Sequence, residues 1–282
     1  MKIDHVTIAG SRLGQLRAAL AANGLQTEYG GPHSNRMTHM ALLGFDDGAY
    51  LELISTLEPG LASPWWHQHI IQDGGPCAWA VQVDDIAQEA GRISAHGIPV
   101  RGPDYYHRER PDGTLVEWDL AFPGDYEPGA KLPFLISDRT LRSLRVQPSP
   151  SVTGSELTGI RKVVLGVNDL VAASHLFMQV FDWHAPEIEP HPEFGANLAA
   201  FTGQPVILAQ PNADNWLQQR LAKFGECPCA LLIASRDVAT SVQTRNLVSA
   251  GSWFQKRVAW FDLPKPPGRR PLPGTRLGVM SI

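Results

Sequence analysis

Along the 282 residues, apolar and polar positions switch repeatedly between a period of two and a period near 3.6, and that switching predicts the elements. Residues Ile3 to Ala9 form a β-branched run whose side chains divide between two faces, as a half-buried strand requires. A helix is predicted next, because Leu13, Leu16 and Leu20 recur at helical spacing, Ser11 can cap them and Asn23-Gly24 supplies a left-handed stop. Three strand-like pieces follow, Leu25 to Tyr29, Met37 to Phe45 and Ala49 to Ser55, the last two joined by the turn Asp46-Asp47-Gly48. The unit reads β-α-β-β-β.

The same order returns three times. Ala78 to Val83 leads through Asp84-Asp85 to a helix carrying Ile86, Ala90 and Ile93 and ending at Gly97. Ile160 to Val167 leads through the cap Asn168-Asp169 to Leu170, Ala173, Phe177 and Phe181, and Ala230 to Ala234 leads to a helix expected to end at Gly251. Counted from Ile3, Ala78, Ile160 and Ala230, the intervals are 75, 82 and 70 residues, too long for a solenoid and suited to a duplicated supersecondary unit. Ser143 to Ser155, with Pro148, Pro150 and Gly154, has the composition of a linker. The expected organisation is therefore two domains, 1–140 and 158–282, joined by 141–157. The class is α+β, tandem paired β-α-β-β-β units.

Composition narrows the ligand more than the fold. Charged residues are 18% and the net charge is −4, so a basic field for nucleic acid is missing and a small-molecule ligand is favoured. No run approaches the ~18 apolar residues of a membrane span, and the N-terminus lacks the apolar core of a signal peptide. Cys77, Cys227 and Cys229 are odd in number and the last two are poorly spaced for pairing, which predicts reduced thiols and a cytoplasmic setting.

A paired β-α-β-β-β unit opening on Ile-Asp-His-Val at 3–6 and carrying Tyr-Leu-Glu-Leu-Ile at 50–54 resembles the vicinal oxygen chelate superfamily. That superfamily includes glyoxalase I, extradiol dioxygenases and fosfomycin-resistance proteins, and it implies the glyoxalase/dihydroxybiphenyl dioxygenase-like fold. Gly30-Gly31-Pro32-His33, Thr38-His39, Asp47 to Leu53, Arg110-Pro111-Asp112-Gly113 and Pro133-Phe134 narrow the resemblance to the bacterial glyoxalase-like domain over about residues 3–137. Each pair of units would then form a curved open barrel with a divalent metal held by a His or Glu on each first strand and a Glu on each fourth strand. His5 and Glu52 match one half of that set. The matching stretches of the second unit, Ala78-Trp79-Ala80 and Leu132 to Leu135, offer no ligand, and neither do Leu231, Leu232 and Leu208 to Gln210 in the later units, where Lys162 stands near the first-strand position.

Two arrangements are open at this point. A divalent Zn, Mn, Fe, Ni or Co ion could be held by His5 and Glu52 with a third group from His39 or Glu117, or His5 and Glu52 could form a metal-free polar pair in the cleft. Glu52 is the expected base, its pKa raised toward neutrality by burial, with His39 across the hairpin as partner. Arg110 is the expected anion clamp, and Trp79, Trp118 and Phe134 are the expected aromatic lining. Trp65-Trp66, with His67 and His69, would either close over a ligand or pack between units, and His33 falls on a loop.

Three further clusters carry less chemistry. Cys227-Pro228-Cys229 lacks zinc spacing, and Pro186, Pro190 and Pro192 make the stretch holding His184, Glu187, Glu189, His191 and Glu193 an extended loop. Lys265 to Arg276 reads as a surface segment. The resemblance implies a glyoxalase-like lyase or isomerase that removes a proton next to a carbonyl. A metal-free small-molecule binding protein and a non-catalytic interaction module are the alternatives. Paired units in this superfamily assemble within or across chains, so a homodimer is also expected.

Overall fold

The computed structural model describes residues 1–263 and 276–282. Lys265 to Pro273 and their neighbours therefore lie outside the described residues, and only Arg276 of that expected surface segment is described. The first unit comprises β1 (Lys2–Ala9), α1 (Leu13–Ala21), β2 (Glu28–Pro32), β3 (Thr38–Gly44) and β4 (Tyr50–Thr56). After the short helix α2 (His67–Ile71) come β5 (Gly75–Gln82), α3 (Ile86–Ala95), β6 (Val100–Glu109), β7 (Leu115–Pro123) and β8 (Phe134–Asp138). A single turn, α4 (Arg142–Arg145), leads on to β9 (Leu157–Gly166), α5 (Leu170–Phe181), β10 (Glu187–His191), β11 (Ala196–Ala200) and β12 (Val206–Pro211). The chain finishes with α6 (Trp216–Phe224), β13 (Pro228–Ser235), α7 (Val238–Thr244), β14 (Leu247–Trp253), β15 (Lys256–Phe261) and β16 (Arg276–Ser281).

These strands form two curled eight-stranded sheets with the same order, β2-β3-β4-β1-β5-β8-β7-β6 and β10-β11-β12-β9-β13-β16-β15-β14. Within each sheet the two first strands pair antiparallel, and each first strand pairs parallel with the fourth strand of its own unit. The four-fold β-α-β-β-β reading and its α+β class thus match the molecule. Local signals explain the helix starts: Asp85, Asp169, Asn215 and Asp237 each accept backbone N–H groups of the following turn. Helix α1 differs from expectation, since its N-cap is Arg12 without a side-chain cap, while Ser11 N–H is held by Asp73 at 2.7 Å.

Period-two alternation divides each sheet between two faces. One face of β1 puts Ile3, Val6 and Ile8 into a core shared by both sheets and their helices, where Trp79 stacks on Phe177. The other face of the first sheet lines a cavity. In the second sheet that inner face is filled by Val164, Ile207, Ala230 and Leu232 under Phe194 and Trp253, whose rings meet edge-on at 4.8 Å.

Two elements depart from the sequence reading. Helix α7 ends at Thr244, and Gly251 lies instead in β14, at an irregularity of register between Ser249 and Ser252 with φ +77°. The proline-rich stretch forms β10, tolerated because an edge strand leaves one side without ladder bonds. His191 there bonds Glu193 at 2.9 Å and Glu189 at 3.1 Å. All three cysteines are buried and free, and no helix among the described residues is long and apolar enough to cross a membrane.

Candidate functional site

The inner face of the first sheet encloses a cavity of about 280 Å³, near the lower end of the range for small-molecule sites. Its wall is largely aromatic and apolar, with Trp65, Trp66, Tyr106, Trp118 and Phe134, and its polar residues include His5, His33, Thr38, Glu52 and Arg108. Register decides which residues meet there. Thr7 lies beside Glu52 in the parallel β1–β4 ladder, and its hydroxyl donates to Glu52 Oε2 at 3.0 Å. Glu52 Oε1 is 3.3 Å from His33 Nε2, whose Nδ1 is 2.9 Å from the Thr38 hydroxyl. His5 Nε2 stands 3.8 Å from Glu52 Oε2, and His5 Nδ1 is held by Asp4 at 2.6 Å.

Glu52 is only 7% exposed. Burial pushes its pKa up, as expected from the sequence, but the His33 hydrogen bond, the charges of His5 and His33 and the Thr7 hydroxyl outweigh burial and hold it at about 2. The expected rise toward neutrality is thereby reversed. The carboxylate is ionised at neutral pH, fixed between two imidazoles.

A buried ionic layer supports this centre. Asp4 is fully buried and accepts Arg145 in a fork, 2.9 and 2.8 Å, with Arg142 on the same carboxylate. Arg145 also donates to Tyr50 Oη at 2.8 Å and Asp138 at 2.6 Å, and Tyr50 stacks on His5 with ring centroids 4.7 Å apart. Burial disfavours an Asp4 carboxylate, yet Arg145 and His5 bring its pKa well below the usual range. None of this was visible in the sequence, where Arg145 sits in a segment read as linker. On β6, Arg108 lines the cavity while donating to the carbonyls of Gly30 and Arg145, both at 2.7 Å. Burial lowers its pKa from the ordinary value.

Of the residues expected at a site, His5, Glu52, Trp118 and Phe134 line the cavity together, joined by His33, Trp65 and Trp66. His39, Glu117, Trp79 and Arg110 do not. His39 pairs with Ser55, whereas Leu42 stands opposite Glu52, so His39 occupies the other face, edge-on to Tyr29; burial, then the charge of His33, lowers its pKa. Glu117 accepts the Tyr105 hydroxyl at 2.7 Å on β7, one residue out of phase with Trp118. Trp79 points into the shared core. Arg110 follows the end of β6, where it donates to the Leu144 carbonyl at 3.0 Å and lies 3.4 Å from Asp112.

The ladders also identify the counterparts of the two expected ligands. His5 pairs with Tyr50 as Ala80 pairs with Phe134, and Thr7 with Glu52 as Gln82 with Ile136. Ala80 and Ile136 thus stand where His5 and Glu52 stand in the first unit, and neither can ligate. Among the described residues no three or more His, Cys, Asp or Glu side chains are arranged to hold a metal ion. The donors present do not fit the four-position set that the resemblance implied.

The first curled sheet of paired β-α-β-β-β units thus surrounds a largely apolar cavity into which a few polar groups converge. The family model for the glyoxalase-like domain matches residues 3–181, and the chain belongs to that family. The match runs beyond the first sheet into β9 and α5. Among solved structures, a hypothetical protein from Staphylococcus aureus is similar at 14% identity and a TM-score of 0.62, covering 100% of this chain and 99% of that one. A mutant of 4-hydroxymandelate synthase from Streptomyces coelicolor is similar at 12% identity and a TM-score of 0.62, covering 99% and 92%. At these identities the likeness speaks for the fold. No curated protein sequence matches the chain.

Proposed function

We propose that the protein is a small-molecule enzyme of glyoxalase-like type, a lyase or isomerase in which Glu52 removes a proton from carbon next to a carbonyl. The observation that carries this reading is the Glu52 carboxylate, hydrogen-bonded to His33 at 3.3 Å among the aromatic and polar residues that line the cavity. The C–H bond breaks and its electron pair moves onto the carbonyl oxygen. The proton passes to Glu52 and is shared with His33, whose ring Thr38 fixes from behind. His5 is anchored through Nδ1 to Asp4, and as an imidazolium its Nε2–H, near Glu52, would donate to the developing oxyanion. Returning the proton to a neighbouring carbon gives isomerisation, and expelling a leaving group gives elimination.

The test is solvent deuterium incorporation. The purified protein is incubated in D2O with pyruvate, 2-oxobutyrate, levulinate and phenylacetone, and α-hydrogen exchange is followed by NMR against buffer alone. Protein-dependent exchange with any of them supports the enzyme. Binding without exchange favours the alternative for which Ala80 and Ile136 speak, a metal-free small-molecule binding protein.

A further inference from the structure

Most charged groups around the cavity are in direct contact with a partner. Asp4 and Asp138 contact Arg142 and Arg145, and Glu52 lies against the rings of His33 and His5. Arg108 is 4% exposed, yet no carboxylate among the described residues lies within ion-pair distance of its guanidinium. Its two hydrogen bonds go to neutral carbonyls and account for two of the five N–H groups an arginine carries. A guanidinium taken out of water with no carboxylate in contact is costly, the charge of Glu52 reaching it only at longer range, and Arg108 lines the cavity. Next to it the wall is flat and apolar: Tyr106 shares its strand face, and Trp118 pairs opposite Tyr106 on β7.

From this geometry we infer that the ligand of the cavity is an organic anion, an aromatic or apolar carboxylic acid whose carboxylate seats on Arg108 while its body lies against Trp118 and Phe134. The inference rests on the proposal that this cavity is the substrate site, and it names the class of substrate. The carboxylate supplies a counter-ion in direct contact and accepts the unused N–H groups in the fork geometry that suits arginine. A neutral ligand would bury Arg108 further without pairing it, and a cationic one would add a like charge. Arg110, the arginine favoured by the sequence, already donates to Leu144 at the edge of the hairpin.

The experiment uses matched acid and amide pairs that differ in charge and little in shape: benzoate and benzamide, phenylacetate and phenylacetamide, hydrocinnamate and hydrocinnamamide. Affinities for the full chain are measured by calorimetry, with saturation-transfer NMR for the weakest. At least one acid is expected to bind about tenfold or more tightly than its amide, the scale of a charge-assisted pair. Arg108→Gln is expected to erase that preference, Arg108→Lys to keep part of it and Glu52→Gln, which removes a like charge from the cavity, to increase it. Circular dichroism verifies that each variant is folded. The inference is overturned if acid and amide bind alike, if no acid binds at millimolar concentration, or if Arg108→Gln keeps the preference. Failure of the proposed reaction reads differently, as acid-selective binding with no deuterium exchange.

Discussion

Replacing Glu52 by Gln tests whether the carboxylate is held as the structure describes. Its pKa is about 2 in the folded protein, against an ordinary value of 4.5. Because the folded pKa is depressed, the ionised group contributes stability above pH 4.5 and loses it as the pH falls toward 2. The full difference corresponds to about 3 kcal/mol at 1.36 kcal/mol per pH unit. Near pH 3 the same linkage leaves about 1 kcal/mol. The side chain is 9% exposed, so little of this is screened by solvent. Glu52→Gln keeps the shape and removes the charge, so it should cost about 3 kcal/mol at pH 7 and about 1 kcal/mol at pH 3. Urea unfolding of both proteins, followed by tryptophan fluorescence at each pH, measures the gap, and taking the difference cancels the titrating groups that do not interact with Glu52. A gap that stays constant with pH, or a variant as stable as the parent at pH 7, would refute the reasoning.

Further outcomes are expected. Burial, with the charges of Arg220 and Lys223, lowers the pKa of His69 to about 3, and its ring stacks on Phe224 at 4.3 Å where the two sheets' units meet. A histidine kept neutral loses stability as the pH falls below 6.5, so about 2 kcal/mol should go between pH 6.5 and 5, and His69→Gln should flatten that loss in urea titrations. Arg145→Met strands Asp4, and a loss of about 3–5 kcal/mol in chemical denaturation is expected; a loss under about 1 kcal/mol would contradict the buried-pair account. Dialysis against EDTA should leave deuterium exchange unchanged. A loss on chelation that Zn, Mn, Fe, Ni or Co restores, and that disappears in His5→Ala, would instead assign His5 and Glu52 to a metal.

Sequence and structure part company at register and at long range. The repeat was legible because each β-α-β-β-β unit carries its own periods, caps and glycine stops, as Asp85 and Asp169 do for α3 and α5. His5 and Glu52 were legible through the resemblance. His39 was misjudged by one residue: Phe45 and Ala49 close the β3–β4 turn, and counting back from that pair brings Leu42 opposite Glu52, so alternation puts His39 on the far face. The same alternation sends Trp79 into the core between Ala78 and Ala80. Arg145 lies 141 residues from Asp4, in a serine- and proline-rich stretch whose composition hides a buried ion pair. Arg108 was overlooked beside Arg110 because the Arg-Pro-Asp-Gly turn drew the reading past the end of β6.

The central claim is that Glu52 moves the proton. It is tested most directly by the deuterium-exchange rate of wild type and Glu52→Gln on whichever compound of the D2O panel exchanges fastest, with its affinity measured alongside. The account predicts affinity within a few-fold and a loss of exchange of about a hundredfold or more, the contribution of a positioned general base. Equal exchange rates in the two proteins would contradict it.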